Sequence, residues 1–124
     1  MYKNKNWLSK QFKTEYHKSW DGNTYFLRSS YEIEYANYLD SKRIKYLVEG
    51  LLIKYYDSQK NCYRYAIPDF YLTESNEIHE IKSSWTFDKI NMVDKFNEYI
   101  KLGYKVKLIY EKSEYSYDEM INKL

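Results

Sequence analysis

The stretch "DFYLTESNEIHEIKS", residues 69–83, holds two runs of alternating apolar and polar residues around a short polar turn. This arrangement predicts a β-hairpin. It constrains the fold strongly because side chains alternate across a strand and the loop length decides which residues share a face. A loop over 74–75 or over 73–76 places Asp69 directly across from Glu80. A slip of one residue would place the two acids on opposite faces.

The alternation predicts one apolar face and one charged face for this hairpin. Phe70 and Leu72 point toward the predicted core, and His79 lies on the same side, which predicts a structural role for the histidine. The opposite face is expected to carry three charged side chains: Asp69, Glu80 and Lys82. Pro68, the only proline in the chain, should interrupt the first strand and leave Asp69 at an irregular, accessible position.

Periodicity predicts helices on both sides of this hairpin. Residues 30–43 place Glu32, Ala36, Leu39 and Arg43 on one stripe behind N-capping serines. Residues 86–102 form a second predicted helix that stops at Gly103, with its apolar face made by Ile90, Val93, Phe96 and Ile100. The other expected elements are a helix over 6–17, a turn over 21–23, strands over 45–49, 51–56, 62–66, 69–73, 77–83 and 104–110, and a last helix over 116–123.

This order predicts an α/β, or mixed α+β, fold: a mixed four- to five-stranded sheet flanked by helices in the order α-ββββ-α-β-α. At 124 residues the chain is expected to be one domain with its own core. A single cysteine, Cys62, cannot form an internal disulfide, which favours a reducing, intracellular setting. With no long apolar run, no membrane segment is expected.

Basic and aromatic residues alternate along the first part of the chain. Lysine and arginine exceed aspartate and glutamate by only 20 − 18 = 2 overall, so the local distribution is more informative than the net charge. Cations interleaved with Trp and Tyr suit a phosphate backbone and exposed bases, although a solvated surface would have the same composition. The predicted DNA-binding residues here are Lys10, Lys13, Lys18, Arg28, Lys42 and Arg43.

The charged hairpin face admits two interpretations. An exposed cross-strand ion-pair cluster would contribute roughly 0.2–1 kcal/mol. Alternatively, Asp69 and Glu80 hold Mg²⁺, which prefers carboxylates, waters and a phosphate oxygen, with the Ile81 carbonyl as a further ligand. Lys82 would then orient or deprotonate an attacking water. Zinc is not expected, because the chain has one cysteine and two distant histidines.

Pro68-Asp69 followed by Glu80-x-Lys82 resembles the signature of the PD-(D/E)XK nuclease superfamily. The segments around it, "LRSSYEIEYANYLDSKRIKYLVEG", "YRYAIPDFYL" and "HEIKSSW", are similar to the phage endonuclease I family of Holliday junction resolvases, to small phage homing-type endonucleases and to the nuclease subunit of some transposons. The resemblance covers about residues 28–110. It implies a restriction-endonuclease-like core, Mg²⁺ with Mn²⁺ able to substitute, and a product with a 5′-phosphate.

The resemblance also implies roles for residues whose positions alone are ambiguous. Glu32 matches the glutamate that completes the metal site from the first core helix, although Ser29-x-x-Glu32 also fits a capping box. Glu49 corresponds to a supporting or second-metal acid, or is an exposed charge at a strand end. Lys95 is a candidate contact to the cleaved phosphate, or a solvated lysine on a helix. Lys89, on the same helix, is a predicted DNA-binding residue with the same alternative. Trp85 would stack on a base or fill the corner between sheet and helix.

Together these expectations describe a basic aromatic N-terminal arm over 1–27 and a nuclease domain over 28–124. The expected activity is magnesium-dependent DNA endonuclease cleavage of branched or junction DNA by a homodimer, with no small-molecule cofactor, in the cytoplasm of a bacterial or phage-infected host. The alternatives are sequence-specific homing cleavage, a non-catalytic DNA-binding subunit of a recombination or transposition assembly, and a protein-interaction domain with decorative ion pairs.

Overall fold

The computed structural model describes residues 14–124, which divide into two compact units between Lys45 and Tyr46. The first unit contains a two-stranded antiparallel sheet and one helix. Its elements are β1 (Glu15–Lys18), β2 (Thr24–Leu27) and α1 (Ser30–Ser41). None of the helices in the described part of the chain has the length and apolar character needed to cross a membrane.

A helix was expected over 6–17, and its residues before 14 lie outside the described part of the chain. The remaining residues belong to the β1–β2 hairpin instead of a helix. The predicted turn is confirmed: Gly22 has φ +94°, a conformation that glycine adopts readily. His17 Nε2 lies 2.6 Å from Asp40 Oδ2, and Trp20 Nε1 donates to the carbonyl of Ile44 at 2.8 Å. Pairing across the turn and these contacts with the end of α1 override a weak helical pattern.

Helix α1 begins at the predicted serine cap, where Ser29 Oγ accepts a hydrogen bond from the backbone N–H of Glu32. Its buried side chains are Ile33, Ala36 and Leu39. The prediction that the helix continues to Arg43 is wrong. Arg43 has φ +54°, which a right-handed helix does not permit.

The second unit is built on a five-stranded mixed sheet with the strand order β3-β6-β7-β8-β9, in which only β7 and β8 run parallel. A separate hairpin, β4–β5, makes its own two-stranded sheet. The elements are β3 (Tyr46–Val48), β4 (Ile53–Asp57), β5 (Cys62–Ala66), β6 (Phe70–Leu72), β7 (Glu77–Lys82), α2 (Lys89–Lys101), β8 (Lys105–Tyr110), β9 (Ser113–Tyr115) and α3 (Tyr117–Lys123).

The mixed α+β class and the mixed sheet are confirmed, but the membership of the sheet differs from the expectation. The strands predicted over 51–56 and 62–66 pair only with each other, and β9, which no alternation indicated, forms an edge of the main sheet. β9 covers only Ser113–Tyr115, and a strand that short leaves almost no periodic signal.

Helix α2 connects the parallel strands β7 and β8 and packs on one face of the sheet. Its buried side chains are Met92, Phe96 and Tyr99, which pack in one cluster with Ile78 and Leu108. The predicted apolar face was therefore wrong in part, since Ile90 and Ile100 are exposed. The buried stripe includes a tyrosine, which the sequence pattern did not identify as apolar. The stop at Gly103 is confirmed, with φ +99°.

Candidate metal centre

The hairpin β6–β7 has the register that brings the two acids together. Phe70 pairs with His79 and Leu72 pairs with Glu77, so the connecting loop spans 73–76, one of the two loops that the sequence allowed. Continuing this antiparallel register by one residue beyond Phe70 places Asp69 opposite Glu80. The predicted pairing of the acids is confirmed.

Asp69 lies at the point where β6 begins and replaces part of the strand ladder with its side chain. The backbone N–H of Ile81 donates to Asp69 Oδ2 at 2.8 Å, and the backbone N–H of Asp69 lies 3.4 Å from Glu80 Oε1. Pro68, just before it, has no N–H to donate to a ladder. The proline and the ladder end thus leave a carboxylate, rather than backbone, beside β7.

Glu80 is buried, with 3% of its surface exposed, on the face of the sheet that α2 covers. The phenol of Tyr99 donates to Glu80 Oε2 at 3.0 Å. Burial, and next the negative charge of Asp69, raise the pKa of Glu80 to about 8, while Lys82 and Lys95 act in the opposite direction. The charged face of the hairpin was expected to lie opposite the core, but α2 covers it and makes it part of a core. The interpretation as an exposed ion-pair cluster is therefore wrong.

Two lysines influence this carboxyl pair electrostatically. Lys82 and Lys95 both lower the pKa of Glu80 through their charge, yet within residues 14–124 neither forms a direct ion pair with Asp69 or Glu80. Lys95 is half-buried, and its Nζ lies 5.7 Å from the centre of the Tyr55 ring. Burial lowers the pKa of Lys95, an effect that the negative charge of Glu80 opposes. Lys95 is therefore placed in the electrostatic environment of the acids, not on a solvated face.

The donor set fits a hard divalent cation. In a strand, the N–H and C=O of one residue point to the same side, so the Ile81 carbonyl points toward the side where its N–H meets Asp69. Mg²⁺ is commonly held by one or two carboxylates, with waters completing its shell. No group of three or more His, Cys, Asp or Glu side chains suited to a metal occurs between residues 14 and 124, so this site offers two acids and a carbonyl.

Glu32 belongs to the first unit, where its side chain contributes to the start of α1. Its Oε1 accepts a hydrogen bond from the backbone N–H of Arg28 at 3.1 Å. In the predicted capping box, the Glu32 carboxylate would accept a hydrogen bond from the backbone N–H of the Ser29 cap. Here it accepts from the N–H of the preceding residue instead. Glu34, two residues further along α1, is exposed. The assignment of Glu32 to a metal rests on the resemblance alone.

Other predicted site residues of the second unit have separate surroundings. Glu49 is exposed with φ +52°, and its N–H donates to the carbonyl of Asp69 at 3.1 Å, which ties the end of β3 to the start of β6. Lys89 Nζ donates to the carbonyl of Ile121 at 2.9 Å, which indicates a structural role. Trp85 is 81% exposed, so the interpretation that it fills a corner is wrong.

His79 is buried on the Ile81 side, as predicted, with its Nε2 3.1 Å from Glu77 Oε1. Burial lowers the pKa of His79, and hydrogen bonding to Glu77 opposes this effect. The histidine thus points away from Glu80.

The basic residues predicted to bind DNA before the second unit are described only in part. Lys10 and Lys13 fall outside the described residues, and Lys18 is exposed on β1. The Arg43 guanidinium lies 5.8 Å from the centre of the Trp20 ring. The Arg28 guanidinium lies 5.4 Å from the centre of the Phe26 ring. Lys42 is the C-cap of α1.

Tyr99 and Tyr55 are site residues that the sequence analysis missed. Tyr99 follows Lys95 by one helical turn, and that spacing places both on one helix face. A search for polar groups one turn from Lys95 would have found it. Tyr55 receives a hydrogen bond at its phenol oxygen from Asn91 Nδ2 at 3.0 Å, and no local pattern indicates this.

Comparisons of the chain with models of protein families, with curated proteins and with solved structures give no match.

Proposed function

We propose that this protein is a magnesium-dependent DNA endonuclease that hydrolyses phosphodiester bonds, with branched or junction DNA as its substrate. One observation carries the proposal: Asp69 and the buried Glu80 face each other across β6 and β7 with no cation bonded directly to either, among the residues described. Two adjoining carboxyl groups repel when both are ionised, and burial increases this cost. A bound divalent cation would remove the repulsion.

Asp69 and Glu80, with the Ile81 carbonyl, are the residues that would hold the ion. Bound there, Mg²⁺ would polarise the phosphodiester and lower the pKa of a water ligand. The N–H of Ile81 keeps the Asp69 carboxylate oriented, and the phenol of Tyr99 does the same for Glu80. Preorganised ligands of this kind avoid the cost of ordering the site when the ion arrives.

The lysines supply the remaining chemistry of the proposed reaction. Lys82 lies on the same strand face as Glu80 and would orient the attacking water or accept its proton. Lys95, whose pKa is lowered by burial, would stabilise charge on the cleaved phosphate. Both groups act on an anionic substrate, which favours a nucleic acid over a neutral polymer.

Selectivity for branched DNA is the part of the proposal that the resemblance supplies. The exposed Trp85 lies in the segment directly after the lysine strand, where it would stack on a base near the cleaved bond. Two cuts in one junction would require two protomers related by a two-fold axis. A homing-type endonuclease with the same site would instead prefer a duplex of specific sequence over branched DNA.

The decisive experiment compares a synthetic four-way junction with a linear duplex of matched sequence, in Mg²⁺ and in chelator. We expect paired cuts in the junction that need Mg²⁺, and little cleavage of the duplex. Asp69→Asn keeps an acceptor for the Ile81 N–H but loses the charge, and it should abolish cleavage. Glu74→Gln, an exposed acid in the 73–76 loop, is the matched control. DNA binding without any Mg²⁺-dependent cleavage would refute the enzyme and favour a non-catalytic DNA-binding subunit.

A further inference from the structure

The outer face of the β4–β5 hairpin is a tyrosine surface that the core does not use. Lys54 pairs with Tyr65, and Tyr56 pairs with Tyr63, so these four side chains share one face. Tyr63 and Tyr65 are 66% and 65% exposed, and Tyr56 is 44% exposed. The opposite face of the same strands packs in the core cluster through Ile53, Tyr55 and Ala66. The hairpin is thus anchored on one side and presents aromatic rings on the other.

The charges of the hairpin complement a polyanion. Lys54 and Lys60 are its basic residues without an acidic partner in the hairpin, because Arg64 pairs with Asp57, the one acid of the hairpin. Asp57 is buried and accepts a hydrogen bond from Arg64 Nη1 at 3.1 Å, so its charge is neutralised within the hairpin. Lys54 Nζ lies 4.9 Å from the centre of the Tyr63 ring. A cation combined with exposed rings is the arrangement that binds nucleic-acid strands through phosphates and stacked bases.

The tyrosine surface is also close to the candidate metal centre along the chain. Tyr65 precedes Asp69 by four residues, which span at most about 14 Å when fully extended. That distance corresponds to roughly four steps of 3.4 Å along one DNA strand. The backbone of Tyr65 therefore lies no more than about four nucleotides from a bond cleaved beside Asp69.

We infer that Tyr56, Tyr63, Tyr65 and Lys54 form a binding surface for unpaired DNA bases next to the cleaved bond. The inference rests on the proposed nuclease function for its choice of DNA. It extends that function by giving the enzyme a way to recognise the open bases at a branch point. The phenyl rings supply stacking, which is tolerant of base identity, and Lys54 supplies a phosphate contact.

The test measures binding in chelator, by fluorescence anisotropy, of a labelled oligothymidine and of an abasic oligonucleotide of equal length. The protein should bind the base-bearing strand about tenfold or more tightly, because stacking requires bases. Tyr63→Leu with Tyr65→Leu should reduce this preference severalfold, with Tyr56 and Trp85 accounting for what remains, while Tyr63→Phe with Tyr65→Phe should keep it in full. Lys54→Met should weaken binding of both strands alike and reduce the salt slope by about 0.7.

Equal binding of the two strands by the unaltered protein, or a preference of unchanged size in the double leucine variant, would overturn the inference. If sedimentation shows that the leucine variant only changes the oligomeric state, the surface is a contact between copies of the chain and the inference is wrong. The nuclease is tested separately in Mg²⁺. A base preference without cleavage supports the surface and refutes the enzyme, whereas cleavage without a base preference does the reverse.

Discussion

The side chain of Asp69 accepts a hydrogen bond from the backbone N–H of Ile81, with 2.8 Å between Oδ2 and the nitrogen. The bond joins two neighbouring strands at the place where their backbone ladder stops, because β6 begins only at Phe70. It also turns the Asp69 carboxylate toward Glu80. The side chain of Asp69 is therefore both a structural hydrogen-bond acceptor and a candidate metal ligand.

Removing one carboxylate charge should prevent metal-dependent cleavage without unfolding the protein. Asp69→Asn and Glu80→Gln each keep the size of the side chain and one acceptor oxygen, so both variants should remain folded at neutral pH. The rate of junction cleavage in Mg²⁺ should fall by at least about a hundredfold, since metal stabilisation of the transition state contributes several kcal/mol. Calorimetry with Mn²⁺ should show the same loss in binding. Metal binding unchanged in both variants would contradict the site.

Lys82→Met should impair the reaction more than it impairs binding. Loss of a group that positions or deprotonates water lowers a rate by about a hundredfold to ten-thousandfold. Affinity for junction DNA, measured in Ca²⁺ or chelator, should change by less than about tenfold. Lys101→Met, an exposed lysine at the end of α2, provides the matched control. Equal effects of the two substitutions on the cleavage rate would show that Lys82 acts only through net charge.

The stability of the metal-free protein should fall as the pH rises. The pKa of Glu80 is about 8 in the folded state and 4.5 in the unfolded chain, so the unfolded chain releases this proton first. The contribution of Glu80 to stability is complete below pH 4.5 and is lost as the pH approaches 8, by at most about 1.4 kcal/mol per pH unit.

Urea unfolding of the metal-free protein at pH 5.5, 7 and 8.5, compared with Glu80→Gln, isolates this contribution. As the pH rises, the free energy of unfolding of the variant should increase relative to that of the unaltered protein. Other titrating groups contribute equally to both proteins and cancel in the difference. Mg²⁺ should reverse the trend, because metal binding displaces the proton. A difference that is independent of pH would show that Glu80 is ionised in the folded protein throughout this range.

Tyr99→Phe tests how the buried carboxyl is supported. The substitution removes the phenol that donates to Glu80 Oε2 and leaves the packing of the ring in the core. Burial and the charge of Glu80 raise the pKa of Tyr99, so the phenol remains a donor at neutral pH. We expect a loss of about 0.5–1.5 kcal/mol in the free energy of unfolding, together with weaker Mn²⁺ binding.

The control for this variant is Tyr71→Phe, because Tyr71 donates to Asn76 Oδ1 at an exposed position. It should change stability by less than Tyr99→Phe does and should leave Mn²⁺ binding unchanged. If the two variants behave alike in metal binding, the phenol of Tyr99 has only a structural role.

The hairpin and its register were predictable from the sequence because they depend on a period of two and on the length of a loop. Either an even-numbered loop over 74–75 or one over 73–76 places Asp69 and Glu80 on one face, and the structure uses the 73–76 loop. The caps at Ser29 and the stop at Gly103 were predictable for a similar reason, since each depends on its immediate neighbours.

The burial of Glu80 was not predictable in this way. It depends on α2 packing over the charged face, with Phe96 and Tyr99 in the buried stripe instead of Ile100. A tyrosine can pack as an apolar ring and still donate from its phenol, so hydrophobic periodicity alone does not decide which role it takes. The same ambiguity concealed the tyrosines of the β4–β5 hairpin, which divide between core and surface.

By itself, the sequence determined the elements near the site and the pairing of its two acids, since these follow from backbone periodicity over a few residues. Only the tertiary structure decided that Glu80 is buried, that Tyr99 supports it and that Lys95 shares its electrostatic field. Those relationships join residues far apart in the chain. They arise when a helix covers a sheet face and removes water from it, which a local pattern does not specify.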